Sequence, residues 1–260
     1  PGSALQTDWH HPLSAAVSLE RFAVPKMISM TRFIIAISCT VTLLLGGCAA
    51  VSVNEDKRPV EAIINRAEQL IKSKAYAAAA EEYAVIIRKE PTIGSHYLRR
   101  AEILERIDED KEAHSTYERG LKMVPEDDPD QLQLMHRLAL VDANHLFKLD
   151  EAEELLTRLP QRSIEKLDLA AFLYYQASQY NEAIELLNKA LEKVRDADQK
   201  ALLLYHAALI YVKLGDEKNT FGSLYFAINN AEHLGLIRDI EQLWQKLNEI
   251  PEGADTIPKS

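Results

Sequence analysis

Small and large apolar residues recur along the chain at helical spacing, and the pattern returns after 34 residues. Between Lys74 and Pro91 the chain reads KAYAAAAEEYAVIIRKEP. Five positions keep their residue type one period later: Ala67 and Ala101, Leu70 and Leu104, Ala79 and Ala113, Tyr83 and Tyr117, Pro91 and Pro125. Apolar residues three and four apart indicate helices, and a proline ends a helix because it cannot continue it. The pattern predicts helices at 60–72, 76–89, 94–106 and 109–122.

This period, with its small, aromatic and proline positions, resembles the tetratricopeptide repeat. The resemblance implies an all-α fold, an α-solenoid of about five helix-turn-helix repeats, in which neighbouring pairs stack. A third, shorter pair is expected at Asp130–His145 and Asp150–Leu159. The fourth and fifth pairs follow around Ala183 and Thr220. Spacing between equivalent positions drifts from 34 to 39, 31 and 37, and we expect loops to absorb the drift.

A last amphipathic helix is predicted at 236–249. Its apolar residues Leu236, Ile240 and Leu243 fall at helical spacing, whereas Arg238 and Asp239 are polar. This arrangement is typical of a C-terminal capping helix, with one face on the last repeat and the other in water.

The apolar run at 33–45 indicates a secretory signal. At 13 residues it is shorter than the roughly 20 that span a bilayer. Arg32 precedes it and Gly46-Gly47 follow, which is the three-part layout of a signal peptide. The segment Leu45-Gly46-Gly47-Cys48 resembles the lipobox of bacterial lipoproteins, which implies that Cys48 is lipidated. The alternative is a buried strand or helix that happens to end in Gly-Gly-Cys.

The residues around this signal divide the chain. Because 26 residues precede Met27, we expect the natural start at Met27 or Met30, with a tag remnant as the other explanation. Residues 1–47 are therefore left out of the fold, 48–59 form the lipidated tether, 60–250 the repeat domain and 251–260 a tail. The residue after Cys48 is Ala49 and not aspartate. In the lipoproteins that the chain resembles, this implies sorting to the outer membrane of the cell envelope, facing the periplasm.

Charge and composition exclude several functions. The net charge of −10 argues against nucleic acid, which needs clustered Lys and Arg. Both cysteines, Cys39 and Cys48, precede the repeats, so no disulfide framework is expected there. The sequence contains no phosphate loop, nucleophile motif or metalloprotease motif, and its histidines are scattered. We therefore predict no enzyme activity, no metal and no cofactor.

The resemblance places certain positions of each first helix on the concave face of the solenoid. In the second and third repeats these are charged or mixed: Leu98, Glu102, Glu105, Arg106, Arg137, Val141, Asn144 and His145. In the fourth and fifth they form the predicted partner-binding groove: Phe172, Tyr175, Gln176, Tyr205, Leu209 and Lys213. Aromatic residues with polar tips are typical anchors for a bound peptide. The alternative is that Phe172 and Tyr205 simply pack on each other.

The function expected from these patterns is a lipid-anchored, non-enzymatic tetratricopeptide scaffold that binds protein or peptide partners in the periplasm. A narrower alternative is an assembly factor for outer-membrane β-barrels or type IV pili, since lipoproteins of both kinds share this layout. An enzyme or a regulatory subunit is the second alternative, and an enclosed pocket that holds titratable groups in contact would favour it.

Overall fold

A computed structural model describes residues 56–249, which form eleven α-helices and no strand. Ten of the helices make five consecutive pairs, which confirms the expected all-α solenoid. The pairs are α1 (Val60–Lys72) and α2 (Tyr76–Lys89), α3 (Gly94–Arg106) and α4 (Asp110–Met123), α5 (Gln131–Asn144) and α6 (Leu149–Arg158), α7 (Ile164–Gln176) and α8 (Tyr180–Leu191), α9 (Ala197–Leu214) and α10 (Glu217–Asn230). The last helix, α11, spans Leu234–Asn248.

Small residues occupy the same buried position in the second helix of each pair. Ala79, Ala113, Ala152 and Ala183 have no exposed surface, and Thr220 takes the same position in the fifth pair at 3% exposure. A larger residue one turn later lies beside each small one and is buried in four of the five pairs: Tyr83, Tyr117, Leu187 and Leu224, with Leu156 half-buried. The repeated sequence positions therefore specify packing between helices.

Each pair turns through one residue with a left-handed backbone. These residues are Lys74, Asp108, Phe147, Ser178 and Gly215, with φ between 56° and 72°. They lie 34, 39, 31 and 37 positions apart, the same spacing as the packing positions. One conformation therefore reverses the chain in every repeat, although only the fifth turn uses glycine, which adopts it without strain.

The drift in spacing was expected to lie in the loops, and this is only partly right. The spacing of 39 does reflect a longer loop, from Val124 to Asp130. The spacings of 31 and 37 arise mainly from helix length, because α6 has 10 residues and α9 has 18.

The expectation for the last helix is also corrected. Helix α11 contacts α10 of the last repeat, as predicted, but it packs further back against α3 of the second pair. Arg238, expected in water, is only 4% exposed, and Asp239 is half-buried, whereas Gln242 and Lys246 are exposed. The polar face of α11 is therefore divided between the protein and solvent. Among residues 56–249, no helix is both long enough and apolar enough to cross a membrane.

Candidate functional site

The inner face of the solenoid is formed by α3, α5, α7 and α9, where the first helices of successive pairs contact one another. Helix α11 lies on this face. At Gly235 an added Cβ would lie only 2.7 Å from Cβ of Glu105, so the two helix backbones approach closely there. Only glycine permits so close an approach, because any side chain would meet the backbone-fixed part of Glu105.

Carboxylates of the inner face receive the N-terminus of α11. The Leu234 N–H donates to Oε1 of Glu102 at 2.7 Å. Asp198 of α9 accepts from the N–H groups of Glu232 and His233 at 2.6 and 3.1 Å. A helix N-terminus carries unpaired N–H groups and a partial positive charge, so acidic side chains stabilise it. His233 completes the end as N-cap, since its Nδ1 accepts from the Leu236 N–H at 3.2 Å.

Arg238 anchors the middle of α11. Its guanidinium donates to the backbone carbonyl of Glu105 and, at 2.9 Å, to Oδ1 of Asp110. On its other side it lies 2.9 Å from Nε2 of His145 and 2.8 Å from Oδ1 of its neighbour Asp239. A buried arginine is stable only when its donors and charge are satisfied, and here the Glu105 carbonyl and the carboxylates of Asp110 and Asp239 satisfy them.

Glu105 has an unusual protonation equilibrium. Burial raises the pKa of its carboxyl to about 7, and the hydrogen bond from Tyr117 and the charge of Arg137 only partly oppose this. The hydroxyl of Tyr117 donates to Oε1 of Glu105 at 2.6 Å. The carboxyl therefore changes charge near neutral pH, directly beneath α11.

The two histidines at α11 are shifted in opposite directions. Burial lowers the pKa of His233 well below its ordinary value, and nearby arginines lower it further. This imidazole stays neutral and can act as a cap. Burial would also lower the pKa of His145, but the hydrogen bond to Asp239 and its charge outweigh burial and raise it.

A small cavity lies beneath α11, between α3, α5 and α9. Its volume is about 30 Å³, and the titratable groups that line it are Glu105, Arg137, His145, Tyr205, His206 and Asp239. A space of this size holds about one or two water molecules. An enclosed pocket with titratable groups was expected to favour an enzyme, but this one leaves no room for a substrate.

The predicted partner-binding groove is divided by burial. Phe172 and Tyr205 are 1% and 6% exposed, so in this conformation neither offers a surface to a partner. Both belong to the buried core, which agrees with the alternative that they are packing residues, and the His206 ring lies against both, at 4.9 Å from Phe172 and 5.7 Å from Tyr205. Of the other predicted residues, Lys213 is exposed and three are half-buried: Tyr175, Gln176 and Leu209. The assignment of this groove to a partner stays a prediction.

A buried cluster on three first helices was missed by the sequence analysis. Asp168 of α7 is completely buried, with Oδ2 3.0 Å from Nε2 of His136 and Oδ1 2.7 Å from Nδ1 of His206. Burial alone would raise the pKa of Asp168, but the charges and hydrogen bonds of His206 and His136 hold it well below its usual range. The signal was available: the three residues are 32 and 38 positions apart, close to the local repeat spacings.

Neither lipid attachment nor metal binding has support in this geometry. Cys48, the predicted lipidation site, lies outside the described residues. Across residues 56–249, no group of three or more His, Cys, Asp and Glu side chains has an arrangement that could hold a metal ion.

Comparison with known proteins supports the repeat fold. No family model matches the chain, and no curated protein matches it. A tetratricopeptide repeat protein from Parabacteroides merdae is 15% identical with a TM-score of 0.50, over 75% of this chain and 77% of that one. The APC/C hetero-tetramer Cut9-Hcn1 is also 15% identical, with a TM-score of 0.52, over 76% of this chain and 39% of that one. PilW, a type IV pilus biogenesis factor, is 12% identical with a TM-score of 0.48, over 76% and 96%.

Likenesses at this level of identity establish the fold alone. The described part of the chain has the helical-repeat fold of tetratricopeptide proteins. The function must therefore be argued from the surfaces of this chain.

Proposed function

We propose that the protein is a non-enzymatic scaffold whose inner face binds a protein or peptide partner. The observation that carries this proposal is that the inner face already holds a helix. Glu102, Arg106 and His145, three of the positions expected to line it, contact α11 through Leu234, Glu241 and Arg238. A surface that holds one helix through charged groups and close packing has the chemistry to hold another.

At α11, binding rather than catalysis is supported by the size of the cavity beneath this helix, although wider hollows of about 280 to 500 Å³ lie elsewhere on the solenoid. Beneath α11, His145 is paired with Asp239, Glu105 accepts from Tyr117 and His206 lies against Asp168, and the cavity that they line is about 30 Å³. A catalytic site needs room for a reacting molecule beside such groups. Their arrangement instead satisfies a buried helix contact.

The proposal also places the protein at the outer membrane, facing the periplasm, through acylation of Cys48. Each buried methylene of an acyl chain contributes about 0.8 kcal/mol, so two or more chains anchor a protein stably. Fractionation of cells that express the full chain tests this. Wild type should sediment with membranes and Cys48→Ser should become soluble. Cys39→Ser, inside the apolar run, is the matched control and should stay with membranes. Membrane retention of Cys48→Ser would reject the anchor.

Crosslinking capture from the same membrane fractions tests the binding function. Tyr175→Ala should reduce the yield of a crosslinked partner at least threefold, because Tyr175 is a half-buried residue of the predicted groove. Tyr225→Ala, on α10 and 69% exposed, is the control and should leave the yield unchanged. Equal yields from the two variants would exclude this groove.

A role in assembling β-barrels or type IV pili stays an alternative. Normal barrel levels and normal piliation after depletion of the protein would reject it.

A further inference from the structure

Helix α11 occupies the inner face in the way that a bound ligand would. It belongs to the end of the chain, yet its partners Glu102 and Glu105 lie about 130 residues earlier. A link of three residues, 231–233, connects it to α10. The contact with α3 is therefore made between two distant parts of the chain, and it does not follow from the stacking of neighbouring repeats.

Three features of α11 are matched by the surface beneath it. The positive N-terminus meets the carboxylates of Glu102 and Asp198. Gly235 permits close approach to Glu105. One turn later, Arg238 enters a site that ends in Asp110. The surface thus offers carboxylates to the N-terminus and to the arginine of α11 and lacks space for a side chain at one point, which selects a helix with a small residue and an arginine at matching positions.

Both polar and apolar contacts hold α11, and most of the apolar ones are only partly buried. Only two of its large apolar side chains are fully buried, Leu236 and Ile240 at 3% and 0% exposure. Trp244 is half-buried and meets the edge of Phe221 on α10 at 5.9 Å. An element held by polar groups and by apolar side chains that are mostly only half-buried opens at a lower free energy than the core, so another helix can compete with it.

We propose that the surface beneath α11 is a binding site for a helix of another protein, and that α11 occupies this site until that helix displaces it. The partner helix carries a small residue and, three positions later, an arginine, in the arrangement of Gly235 and Arg238. This inference rests on the proposed function, because it places the partner on the inner face, and it adds the chemistry that the partner must present.

The test uses a fluorescent peptide with the sequence of residues 231–249 and the full chain. Arg238→Glu places a negative charge beside Asp110 and Asp239 and should release α11 from its site. This variant should bind the wild-type peptide at least tenfold more tightly than the wild-type chain does, measured by fluorescence anisotropy. Lys246→Glu makes the same charge change on an exposed position of α11 and should bind like wild type.

A second peptide separates specific docking from helix formation. Gly235→Ala in the peptide increases helix propensity, which alone would tighten binding about fivefold. In the site, however, the added methyl group meets Glu105, so we expect binding at least fivefold weaker. Tighter binding of this peptide would overturn the proposed site.

Three further outcomes would also overturn the proposal. The first is loss of the whole helical circular-dichroism signal in Arg238→Glu, which would make α11 an integral part of the fold. The second is a folded Arg238→Glu chain that fails to bind the peptide. The third is a wild-type dimer that the peptide dissociates, which would make a second copy the occupant. The assay needs no lipid and no cellular partner, so its failure leaves the capture experiment to judge the scaffold function separately.

Discussion

Phe147 has a backbone conformation that an aromatic residue rarely adopts. Its φ of 56° is left-handed, and its side chain is 79% exposed, so little packing compensates the strain. Gly215 holds the equivalent turn in the fifth pair with φ 72° and no such strain. Two residues at one structural position thus differ in how well they fit it.

This difference predicts the effect of exchanging them. Phe147→Gly should increase the free energy of unfolding by about 0.5–1 kcal/mol, after the greater entropy of glycine in the unfolded chain is subtracted. Gly215→Ala should reduce it by about 1 kcal/mol. Urea denaturation followed by circular dichroism measures both. Phe147→Ala is the control, because it removes the exposed ring but keeps the strain. If Ala stabilises as much as Gly, ring exposure is the cause and the backbone is not.

At the scale of the element, α11 differs from the paired helices in what holds it. Helices α7, α9 and α10 begin with the polar N-caps Ser163, Asp196 and Asp216, each bonded within its own helix. The N–H groups at the start of α11 also donate to side chains of α3 and α9. Its docking therefore depends on the ionisation of groups in the solenoid.

Glu105 makes that dependence measurable. Its folded-state pKa of about 7 lies above its ordinary value of 4.5. A raised pKa favours the fold while the carboxyl is protonated, and this contribution is lost as the pH rises through about 7. Glu105→Gln mimics the protonated form. It should match wild type at about pH 3.5, below the unfolded pKa, and exceed its free energy of unfolding by about 1–3 kcal/mol at pH 8.

Urea midpoints at the two pH values decide this. The exposed Glu109→Gln, in the connection between α3 and α4, is the matched control for loss of a carboxylate. The expected sign depends on burial outweighing Arg137 and Arg238, which favour the charged form, while Asp239 acts with burial. A variant that is less stable than wild type at pH 8 would mean that the two arginines outweigh burial and stabilise the ionised carboxylate.

For the whole molecule, the pattern in the sequence predicts the parts of the fold that repeat. Ala79, Ala113 and Ala183 could be recognised because the same packing problem recurs and selects the same small residue. The docking of α11 could not, because Arg238 and Glu105 meet only once and no periodicity connects them. For the same reason the predicted groove included Phe172 and Tyr205. Their repeat positions face inward, but contacts between distant helices decide which inward residues α11 and His206 bury.

The cluster around Asp168 also joins distant parts of the molecule. Its carboxylate lies between His136 of α5 and His206 of α9, so one side chain connects three successive repeats. Removing one member of a buried charged cluster leaves the others unpaired, which costs about 3–5 kcal/mol when the geometry is good. Since amide groups replace part of the hydrogen bonding, Asp168→Asn should lower the free energy of unfolding by about 2–4 kcal/mol.

The pH dependence of that loss distinguishes the charge from simple packing. The pKa of Asp168 is held below its ordinary value of 3.8, so its contribution is present above pH 3.8 and is lost as the pH falls through the folded-state pKa. The difference between wild type and Asp168→Asn should therefore shrink as the pH falls from about 4 towards 2. The exposed Asp127→Asn serves as the control. A difference that persists unchanged at pH 2 would show that the loss comes from packing and not from the charge of Asp168.

Because Asp168 connects three repeats, unfolding of the variant should also begin in α5, α7 and α9, where hydrogen exchange would detect it first.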